Sequence, residues 1–443
     1  MRPLTATVLS LCILFLFAAF VLVARGAGAR GPSRGAGPWW DEAMERYIRE
    51  QLGASYVDAV DPERGREAFY RAMDAYVRFD RYCELIPPER YTRWKEDTQG
   101  RYAGLGVKVD SVPEGLYLAG VWPDGPAARA GMRVGETIVA VQGRPLAGVE
   151  IDTITAWLKG AAGSTVTVAV APGPRPASGT TLEGARRVDV RRDVIRPPTV
   201  FARRIGPDAC VGVLRITDFT EETTAEVERA LAGFLAAPPV IGVALDLRHN
   251  GGGLLNVATH LVDRFLDRGV IVRMEGRIRD GNRMIHAGAQ ADDLLHLPLV
   301  VLVDERSASA SEVVAGALQD HRRGVLLGTR TYGKFLVQSI VDIPNRHAGL
   351  KLTTSRYYLP SGRSYQGPQD AELEGTGGAH EPAGLLPDIV LEMDPDARTR
   401  LFGQWANEEG RPWGEVPRYP DIPADEVDPQ LAAALGLFLD APR

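Results

Sequence analysis

Cysteine is scarce in this chain of 443 residues, which contains only three. Cys12 lies inside an apolar run, so at most Cys83 and Cys210 can pair, and a fold built on a disulfide framework is excluded. Two buried free thiols are the favoured interpretation. The sequence also lacks the HExxH and CxxC spacings of metal sites, and its seven histidines are scattered. It therefore predicts no metal site and no cofactor.

Lysine is also rare. The chain has 51 Lys+Arg residues, and only five of them are lysines: Lys95, Lys108, Lys159, Lys334 and Lys351. Arginine keeps its proton in a protein, whereas a lysine that is buried in apolar surroundings can release it. Lys334 follows a strand-helix unit with a serine-rich turn, so it is either a candidate general base or a solvated loop lysine. Gln338 lies four residues further on and could orient the amine.

A basic surface for nucleic acid is missing as well. The net charge is −6 at pH 7, and no block of basic residues interrupts the sequence, so we expect no nucleic-acid partner. The composition, with 45% hydrophobic and 24% charged residues, is that of a globular protein, and the length is sufficient for two or three domains.

The amino-terminal segment is the longest apolar stretch. Residues 4–24 hold no charged residue over 21 positions, which is long enough to span a bilayer and longer than a usual signal-peptide core. We expect an uncleaved signal-anchor, although the AGA at 27–29 leaves cleavage open. Arginines flank both ends, so the positive-inside rule does not assign an orientation. After a glycine-rich linker, the interleaved polar and apolar residues of 41–76 predict amphipathic helices, which form either a dimerisation element or a helical cap.

Residues 101–173 have a pattern of their own. Short alternating strands surround one helix near 152–159, and this arrangement resembles a PDZ domain. Gly104-Leu105-Gly106, followed by Val107, matches the carboxylate-binding loop of that domain. Glycine-flanked N–H groups can hold a chain-end carboxylate while the next strand edge pairs with an extended peptide. The alternative is that these glycines only turn the chain.

Two strand-turn-helix units follow. Val240–Leu247 is a buried-type strand that leads through the glycine-rich turn at 250–253 into a helix, and Leu299–Val303 leads through SASAS into the helix at 311–321. Side by side in one sheet, both turns would lie at the same edge, where sites in open α/β sheets form. A serine at the start of such a helix meets free N–H groups and the positive end of the helix dipole, as acyl transfer requires.

The glycine turn supports more than one interpretation. It lacks the GxxxxGK[ST] spacing of a phosphate loop, and an oxyanion site fits better, with an N–H from Gly252 or Gly253 and a second from Ala310. His249 and His321 are the alternative bases. His321 lies about 18 Å along its helix at 1.5 Å per residue, so His249 is the stronger of the two.

At this point the motifs match a family. The segments DLRHNGGGLL, SASASEVVAGALQDHRRGVLLGTRTYGKFLVQ and LKLTTSRYYLPSGRSYQG occur in the order found in the carboxy-terminal processing (tail-specific) serine peptidases, and the chain resembles that family over about 40–395. The resemblance implies that Ser309 is the nucleophile, that Lys334, 25 residues later (334 − 309), is the base, and that Gln338 supports the lysine. One departure is the bulky pair Phe335-Leu336, where the family usually has small residues.

These observations together predict a multidomain α+β / α/β protein. The expected parts are a transmembrane signal-anchor and linker (1–36), a helical region (37–100), a PDZ-like β domain (101–173), a crotonase-like α/β serine protease core (174–395) and a tail (396–443). The resemblance implies a serine endopeptidase that needs no cofactor and recognises the C-terminal ends of proteins or peptides. It would be single-pass in the inner membrane with its catalytic part outside the cytoplasm, and a homo-oligomer is left open.

Two rival functions remain at this stage. An inactive PDZ-containing peptide-binding scaffold is suggested only by Phe335-Leu336. A crotonase-like acyl-CoA enzyme would also combine a glycine-rich oxyanion loop with strand-turn-helix units, but it would need neither the PDZ-like domain nor Lys334.

Overall fold

A computed structural model of the protein describes residues 62–78, 80–122, 125–172, 184–236, 238–277, 282–288, 293–344, 346–365, 383–409, 418–419 and 428–440. The chain divides into two compact units, 1–71 and 72–443, and the sheets and sites below belong to the second. The predicted membrane anchor at 4–24 lies outside the described residues. Within the ranges given above, no helix is long and apolar enough to cross a membrane, and the Cys83 and Cys210 thiols are free, the first buried and the second half-buried.

The described part of the amino-terminal region contains helix α1 (Pro62–Val77), strand β1 (Glu84–Ile86) and helix α2 (Pro88–Gln99). Strand β1 pairs in antiparallel register with β18 (Ala348–Tyr358), a strand of the carboxy-terminal half, so that Glu84 lies opposite Lys351.

The PDZ-like region is a six-stranded sheet with two helices. Its elements are β3 (Val107–Val112), β4 (Gly115–Val121), α3 (Pro126–Arg129), β5 (Thr137–Val141), β6 (Arg144–Pro145), α4 (Ile151–Leu158), β7 (Thr165–Ala171) and β8 (Arg186–Arg191). The strand order is β3-β4-β5-β7-β8, with β6 on β5. Ile154 and Leu158 of α4 are buried against alternate residues of β7, because a period of two puts Val166, Val168 and Val170 on one face.

A two-stranded ladder connects this region to the rest. Strand β2 (Tyr102–Gly104) precedes the PDZ-like sheet, strand β9 (Asp193–Ile195) follows it, and the two pair in antiparallel register. The chain therefore enters and leaves the PDZ-like sheet at the same place.

The largest sheet has seven strands in the order β19-β16-β15-β12-β11-β10-β20. Strands β11, β12, β15, β16 and β19 run parallel, and β10 is antiparallel to β11. The bounds are β10 (Val200–Ile205), β11 (Val211–Ile216), β12 (Gly242–Asp246), β15 (Leu299–Val303), β16 (Val325–Gly328), β19 (Ile389–Val390) and β20 (Arg418–Tyr419). Every residue of β12 and β15 is buried, as their apolar runs predict.

Helices cover both faces of this sheet. Helices α5 (Thr223–Leu235), α6 (Leu255–Asp263) and α7 (Ala310–Asp320) share one core with β12 residues Val243 and Leu245. The other face, with Ala244 between them, packs against helix α9 (Pro429–Leu439). The carboxy-terminal tail thus supplies one layer of the sheet, and this part of the chain also contains helix α8 (Pro395–Glu409), which the sequence analysis did not predict.

A smaller sheet completes the fold. Strands β13 (Val270–Gly276), β14 (Arg283–His286), β17 (Leu336–Ile343) and β18 join β1, with β18 between β1 and β13 and also paired to β17. Because β17 begins two residues after Lys334, this sheet positions the predicted base.

Candidate active site

Ser309 lies at the sharp turn between β15 and α7. Its φ is 56° and its ψ is −114°, a backbone conformation that a non-glycine residue adopts only when the surrounding structure enforces it. The side chain is 7% exposed and the residue is the N-cap of α7, at the positive end of the helix. A strained strand-to-helix turn of this kind presents a nucleophile at the edge of a sheet.

The structure separates the three serines of SASAS by their hydrogen bonds. The Ser307 hydroxyl donates to the Leu247 carbonyl at 2.8 Å, and the Ser311 hydroxyl donates to the Asn250 carbonyl at 2.9 Å. Both are completely buried and tie this turn to the glycine-rich turn that follows β12. The middle serine, Ser309, is the member of the three that lies at the strained position.

The glycine-rich turn brings Gly252 against Ser309. A Cβ atom placed on Gly252 would stand 2.9 Å from the Ser309 Cβ and 3.0 Å from the Ala310 nitrogen, so only glycine fits, and its φ of 110° requires glycine as well. The Gly252 N–H donates to Asn250 Oδ1 at 2.9 Å in this structure. Gly253 lies against Phe219, where a Cβ would stand 2.3 Å from the carbonyl oxygen.

Glu312, which the sequence analysis missed, joins the serine turn to the lysine loop. It is completely buried, and its carboxylate accepts hydrogen bonds from the N–H groups of Ser309 (2.8 Å), Gly333 (2.7 Å) and Lys334 (2.8 Å) and from the Thr331 hydroxyl (2.6 Å). Burial raises the pKa of Glu312, although all four donors favour the carboxylate. The spacing Ser309-x-x-Glu312 is that of a capping box, so a sequence signal was available.

Lys334 is half-buried just before β17. Burial lowers the pKa of Lys334 to about 8, with a further contribution from Lys351, while Glu312 acts in the opposite direction. Its amine stands 5.0 Å from the centre of the Tyr82 ring. Among the described residues, no hydrogen bond of this structure joins that amine to the Ser309 hydroxyl.

Gln338 and the bulky pair after Lys334 occupy different surroundings. Gln338 lies in β17, and its amide donates to the Thr353 hydroxyl at 3.4 Å. Phe335 is completely buried in the core below α7, where its ring meets the Tyr365 ring edge-on, and Leu336 is 6% exposed. The departure from small residues at 335 and 336 is therefore a matter of core packing.

The two histidines weighed as bases are engaged elsewhere. The His249 ring lies against the Asp304 carboxylate, and it is 4.9 Å from the Phe402 ring and 5.5 Å from the Trp405 ring of α8. His321 contacts the Val270 carbonyl through Nε2 at 2.8 Å. In the described part of the chain there is also no group of three or more His, Cys, Asp or Glu that could hold a metal ion.

A buried ion-pair triad supports the glycine-rich turn from below. Arg248 is 1% exposed and bonds Asp246 at 2.6 Å and Asp428 at 2.7 Å. Asp428 is also the N-cap of α9, where it accepts from the N–H groups of Gln430 and Leu431. Burial would raise the pKa of Asp428, but Arg248 and these hydrogen bonds lower it below its usual value. The Asp-Pro at 428–429 is a helix-start signal that the sequence analysis did not use.

The predicted carboxylate-binding loop of the PDZ-like region lies between β2 and β3. The Leu105 side chain is buried in the domain core, and its carbonyl accepts the Ala127 N–H at 2.8 Å. Gly106 has a φ of 72°, and its carbonyl accepts the Trp122 N–H at 3.0 Å. Val107 begins β3, which is the edge strand of its sheet within the described residues.

Comparison with known proteins adds to this geometry. A family model described as peptidase family S41 matches residues 210–376, and one described as PDZ domain matches residues 118–172. The chain is 32% identical to a carboxy-terminal-processing protease of Bartonella bacilliformis over 86% of this chain and 84% of that protein. It is 33% identical to a chloroplastic C-terminal processing peptidase of Tetradesmus obliquus over 83% of this chain and 78% of that protein.

A solved structure titled photosystem II D1 C-terminal processing protease is 27% identical, with a TM-score of 0.43, and the match covers 78% of this chain and 86% of that one. The identity to the two relatives over 83–86% of this chain, together with the two family models, confirms the expected fold class of a mixed α/β multidomain protein with protease and PDZ domains. The chain therefore belongs to peptidase family S41 and is a serine peptidase with a PDZ domain.

Proposed function

We propose that this serine peptidase cleaves proteins with a Ser309-Lys334 dyad, and that it receives them through their C-terminal ends, which bind its PDZ domain. The single observation that carries the dyad is the Glu312 carboxylate. It accepts the N–H groups of Ser309 and Lys334 at 2.8 Å each and so holds both backbones to one group. The relatives are named for carboxy-terminal processing, which agrees with this substrate class.

The proposed chemistry begins with the neutral Lys334 amine. It takes the hydroxyl proton of Ser309 while Oγ attacks the scissile carbonyl, and it returns that proton to the leaving amine as the C–N bond breaks. Lys334 then takes a proton from a water that attacks the acyl-enzyme, and it gives this proton to Ser309 Oγ as the ester bond breaks. In this structure the amine lies 5.0 Å from the centre of the Tyr82 ring and has no hydrogen bond with the Ser309 hydroxyl, so that hydrogen bond must form before the first step.

The oxyanion would be held by backbone N–H groups. Ala310 opens helix α7 directly after the nucleophile and is the first proposed donor. The second is Gly253, or Gly252 if Asn250 releases its N–H. Gln338 would hold the lysine through a hydrogen bond, and it now donates to Thr353 on the neighbouring strand.

Substrate delivery is proposed from the edge of the PDZ sheet. Strand β3 has β4 on one side, and an extended peptide can add to its other side while Gly104, Leu105 and Gly106 hold the terminal carboxylate through their N–H groups. The membrane anchor at 4–24, with the catalytic part outside the cytoplasm, remains a proposal from the sequence, and protease accessibility of intact cells and spheroplasts tests it.

The rivals are less well supported. Membership of a peptidase family does not favour an inactive scaffold or an acyl-CoA enzyme. Phe335 and Leu336, the pair that suggested inactivity, pack into the core.

The test combines a serine-directed fluorophosphonate probe with proteolysis of a protein substrate by the full chain in detergent. We expect Ser309→Ala to abolish labelling and Lys334→Arg to lower turnover on the order of a thousand-fold or more, because arginine cannot accept the proton. Ser361→Ala and Lys95→Arg change exposed residues and serve as matched controls. Labelling that survives in Ser309→Ala, or full turnover in Lys334→Arg, would contradict the dyad.

A further inference from the structure

The Lys334 amine lies next to Tyr82, a residue of the amino-terminal region. The Tyr82 ring lies across it at 5.0 Å from the ring centre to the nitrogen. Tyr82 belongs to the turn Asp80–Cys83, within the region 37–100 that the sequence analysis predicted only as a helical region. The structure thus brings part of this region to the predicted base.

The turn is held firmly in place. Asp80 Oδ1 accepts the N–H groups of Tyr82 at 2.7 Å and of Cys83 at 2.8 Å. Cys83 is 3% exposed, and its sulfur accepts the Thr353 N–H at 3.4 Å. The next residues form β1, whose ladder with β18 places Glu84 opposite Lys351. The backbone of Tyr82 is therefore held by the Asp80 side chain and by the neighbouring ladder, and Arg81 donates a hydrogen bond to the Tyr82 hydroxyl at 2.6 Å.

Thr353 connects this turn to the other predicted member of the site. Its N–H binds Cys83, and its hydroxyl accepts the Gln338 amide at 3.4 Å. Strand β18 consequently contacts both Gln338 and the turn that carries Tyr82.

We infer that Tyr82 is a positioning residue for the base, whose ring forms the wall that covers the Lys334 amine and excludes water from it. This inference rests on the proposed function, in which Lys334 removes the Ser309 proton. A lysine base is neutral near pH 7 only while its amine is kept from water. The Tyr82 ring, on the amino-terminal turn, covers the amine in this way.

The charges around the amine set the direction of the effect. Lys351 of β18 and Arg81 of the turn disfavour the ammonium, whereas Glu312 of α7 and Asp80 of the turn favour it. The ring face of Tyr82 also favours the ammonium. Burial, aided by Lys351 and Arg81, outweighs the groups that favour the ammonium and brings the pKa of Lys334 to about 8. If the covering ring is removed, water reaches the amine and the pKa rises toward the ordinary lysine value.

The experiment measures the titration of Lys334 without relying on catalysis. In the full chain with Ser309→Ala, limiting acetic anhydride labels amines between pH 6 and 11, and mass spectrometry follows the peptide that contains Lys334. The other four lysines provide internal references. The variants are Tyr82→Ala, Tyr82→Leu and Tyr82→Phe. Tyr358→Ala is the matched control, because its ring also lies 5.0 Å from a cation, Arg273.

We expect Tyr82→Ala to raise the midpoint of Lys334 labelling by about one unit or more, and Tyr82→Phe and Tyr82→Leu, which keep an apolar cover, not to raise it. With Ser309 restored, a rise of one unit lowers the neutral fraction at pH 7, and with it kcat/KM, about ten-fold, and activity returns as the pH is raised. A midpoint that is unchanged in Tyr82→Ala would overturn the inference. So would a rise in Tyr82→Leu or Tyr358→Ala equal to that in Tyr82→Ala.

The two proposals fail in different ways. If Lys334 is not the base, Lys334→Arg retains turnover, whatever the labelling midpoint shows. If Tyr82 does not cover the amine, Lys334→Arg is inactive but the midpoint does not respond to the ring.

Discussion

At the scale of the residue, one carboxylate organises the candidate site. Glu312 is completely buried, and each of its two oxygens accepts a backbone N–H. Water therefore cannot replace these hydrogen bonds if the carboxylate is lost. Its replacement tests whether the serine turn and the lysine loop depend on one group.

Glu312→Gln removes the charge while keeping the shape. Either orientation of the glutamine places its NH₂ group against a backbone N–H of Ser309, Gly333 or Lys334, which also donates. We expect a loss of roughly 2–4 kcal/mol in the free energy of unfolding and slower labelling of Ser309 by the fluorophosphonate. The control is Glu305→Gln, which breaks an exposed pair with Arg398 and should cost less than about 1 kcal/mol. Equal losses of free energy of unfolding in the two variants would show that Glu312 does not hold the serine turn and the lysine loop together.

We expect Lys334 to lower the free energy of unfolding, because its amine is partly buried. Its pKa in the folded protein, about 8, is lower than its ordinary value of 10.5, so the unfolded chain binds more protons between these two pH values. The penalty is fully present below pH 8, and it disappears as the pH rises through this window. We expect Lys334→Met to be more stable than the native chain by roughly 1–3 kcal/mol at pH 7 and to lose that advantage above about pH 10.

Thermal unfolding of both chains at several pH values measures this difference. Lys108→Met, at an exposed lysine, is the control and should change little. A native chain that is as stable as Lys334→Met at pH 7 would mean that the ammonium is well solvated.

At the scale of the element, helix α9 is coupled to the glycine-rich turn through one ion pair. Asp428 both caps the helix and binds Arg248, and Arg248 lies two residues before Asn250. The charge of Asp428 and its role as helix cap can be tested separately, because asparagine has no charge but also caps helices.

Asp428→Asn keeps the cap and leaves Arg248 with one fewer buried partner. We expect a loss of about 3–5 kcal/mol, seen as faster hydrogen exchange of the amides of α9. Because the pKa of Asp428 is lowered in the folded state, its contribution is present above its ordinary value of 3.8 and is lost as the pH falls, so acid should also release α9 in the native chain. Asp440→Asn, at the exposed end of the same helix, should have little effect. If hydrogen exchange of the α9 amides is unchanged in Asp428→Asn, the helix is not coupled to the glycine-rich turn through this ion pair.

At the scale of the whole molecule, the proposal joins two domains that perform different steps. In the proposed function the PDZ domain recognises a chain end, and the site around Ser309 cleaves elsewhere in the substrate. A change in the carboxylate loop should therefore alter substrate use without altering the reactivity of the serine.

Gly106→Ala places a side chain at a φ of 72°, next to Ile195, where the new Cβ would stand 3.3 Å from the Ile195 Cδ1. We expect kcat/KM for a substrate with a free C-terminus to fall about ten-fold, while fluorophosphonate labelling is unchanged. Gly131→Ala has a similar φ of 76° but nothing within 4 Å, so it is the control for backbone strain alone. If substrates with free and amidated C-termini are cleaved equally well by the native chain, the delivery step is wrong.

Much of the protease fold could be predicted from the sequence because its signals are local. The buried strands β12 and β15 are continuous apolar runs, and the helices after them have apolar residues at helical spacing, so both appear within a window of about ten residues. The roles expected for Ser309 and Lys334, which are 25 residues apart, came instead from the resemblance of several motifs to a family. Helix α8 was missed because its sequence, PDARTRLFGQWANEE, is mostly polar, and only its contacts with the core bury Ala397 and Leu401.

The sequence by itself determined the family, the serine turn and the rare lysine, since these depend on residue type and spacing along the chain. Only the tertiary structure decided that Glu312 joins the two loops, that Phe335 packs inward, that Asp428 pairs with Arg248, and that Tyr82 covers the amine. Tyr82 and Lys334 are separated by 252 positions (334 − 82). They meet because β1 pairs with β18 and β18 with β17, and no property of either residue encodes that pairing.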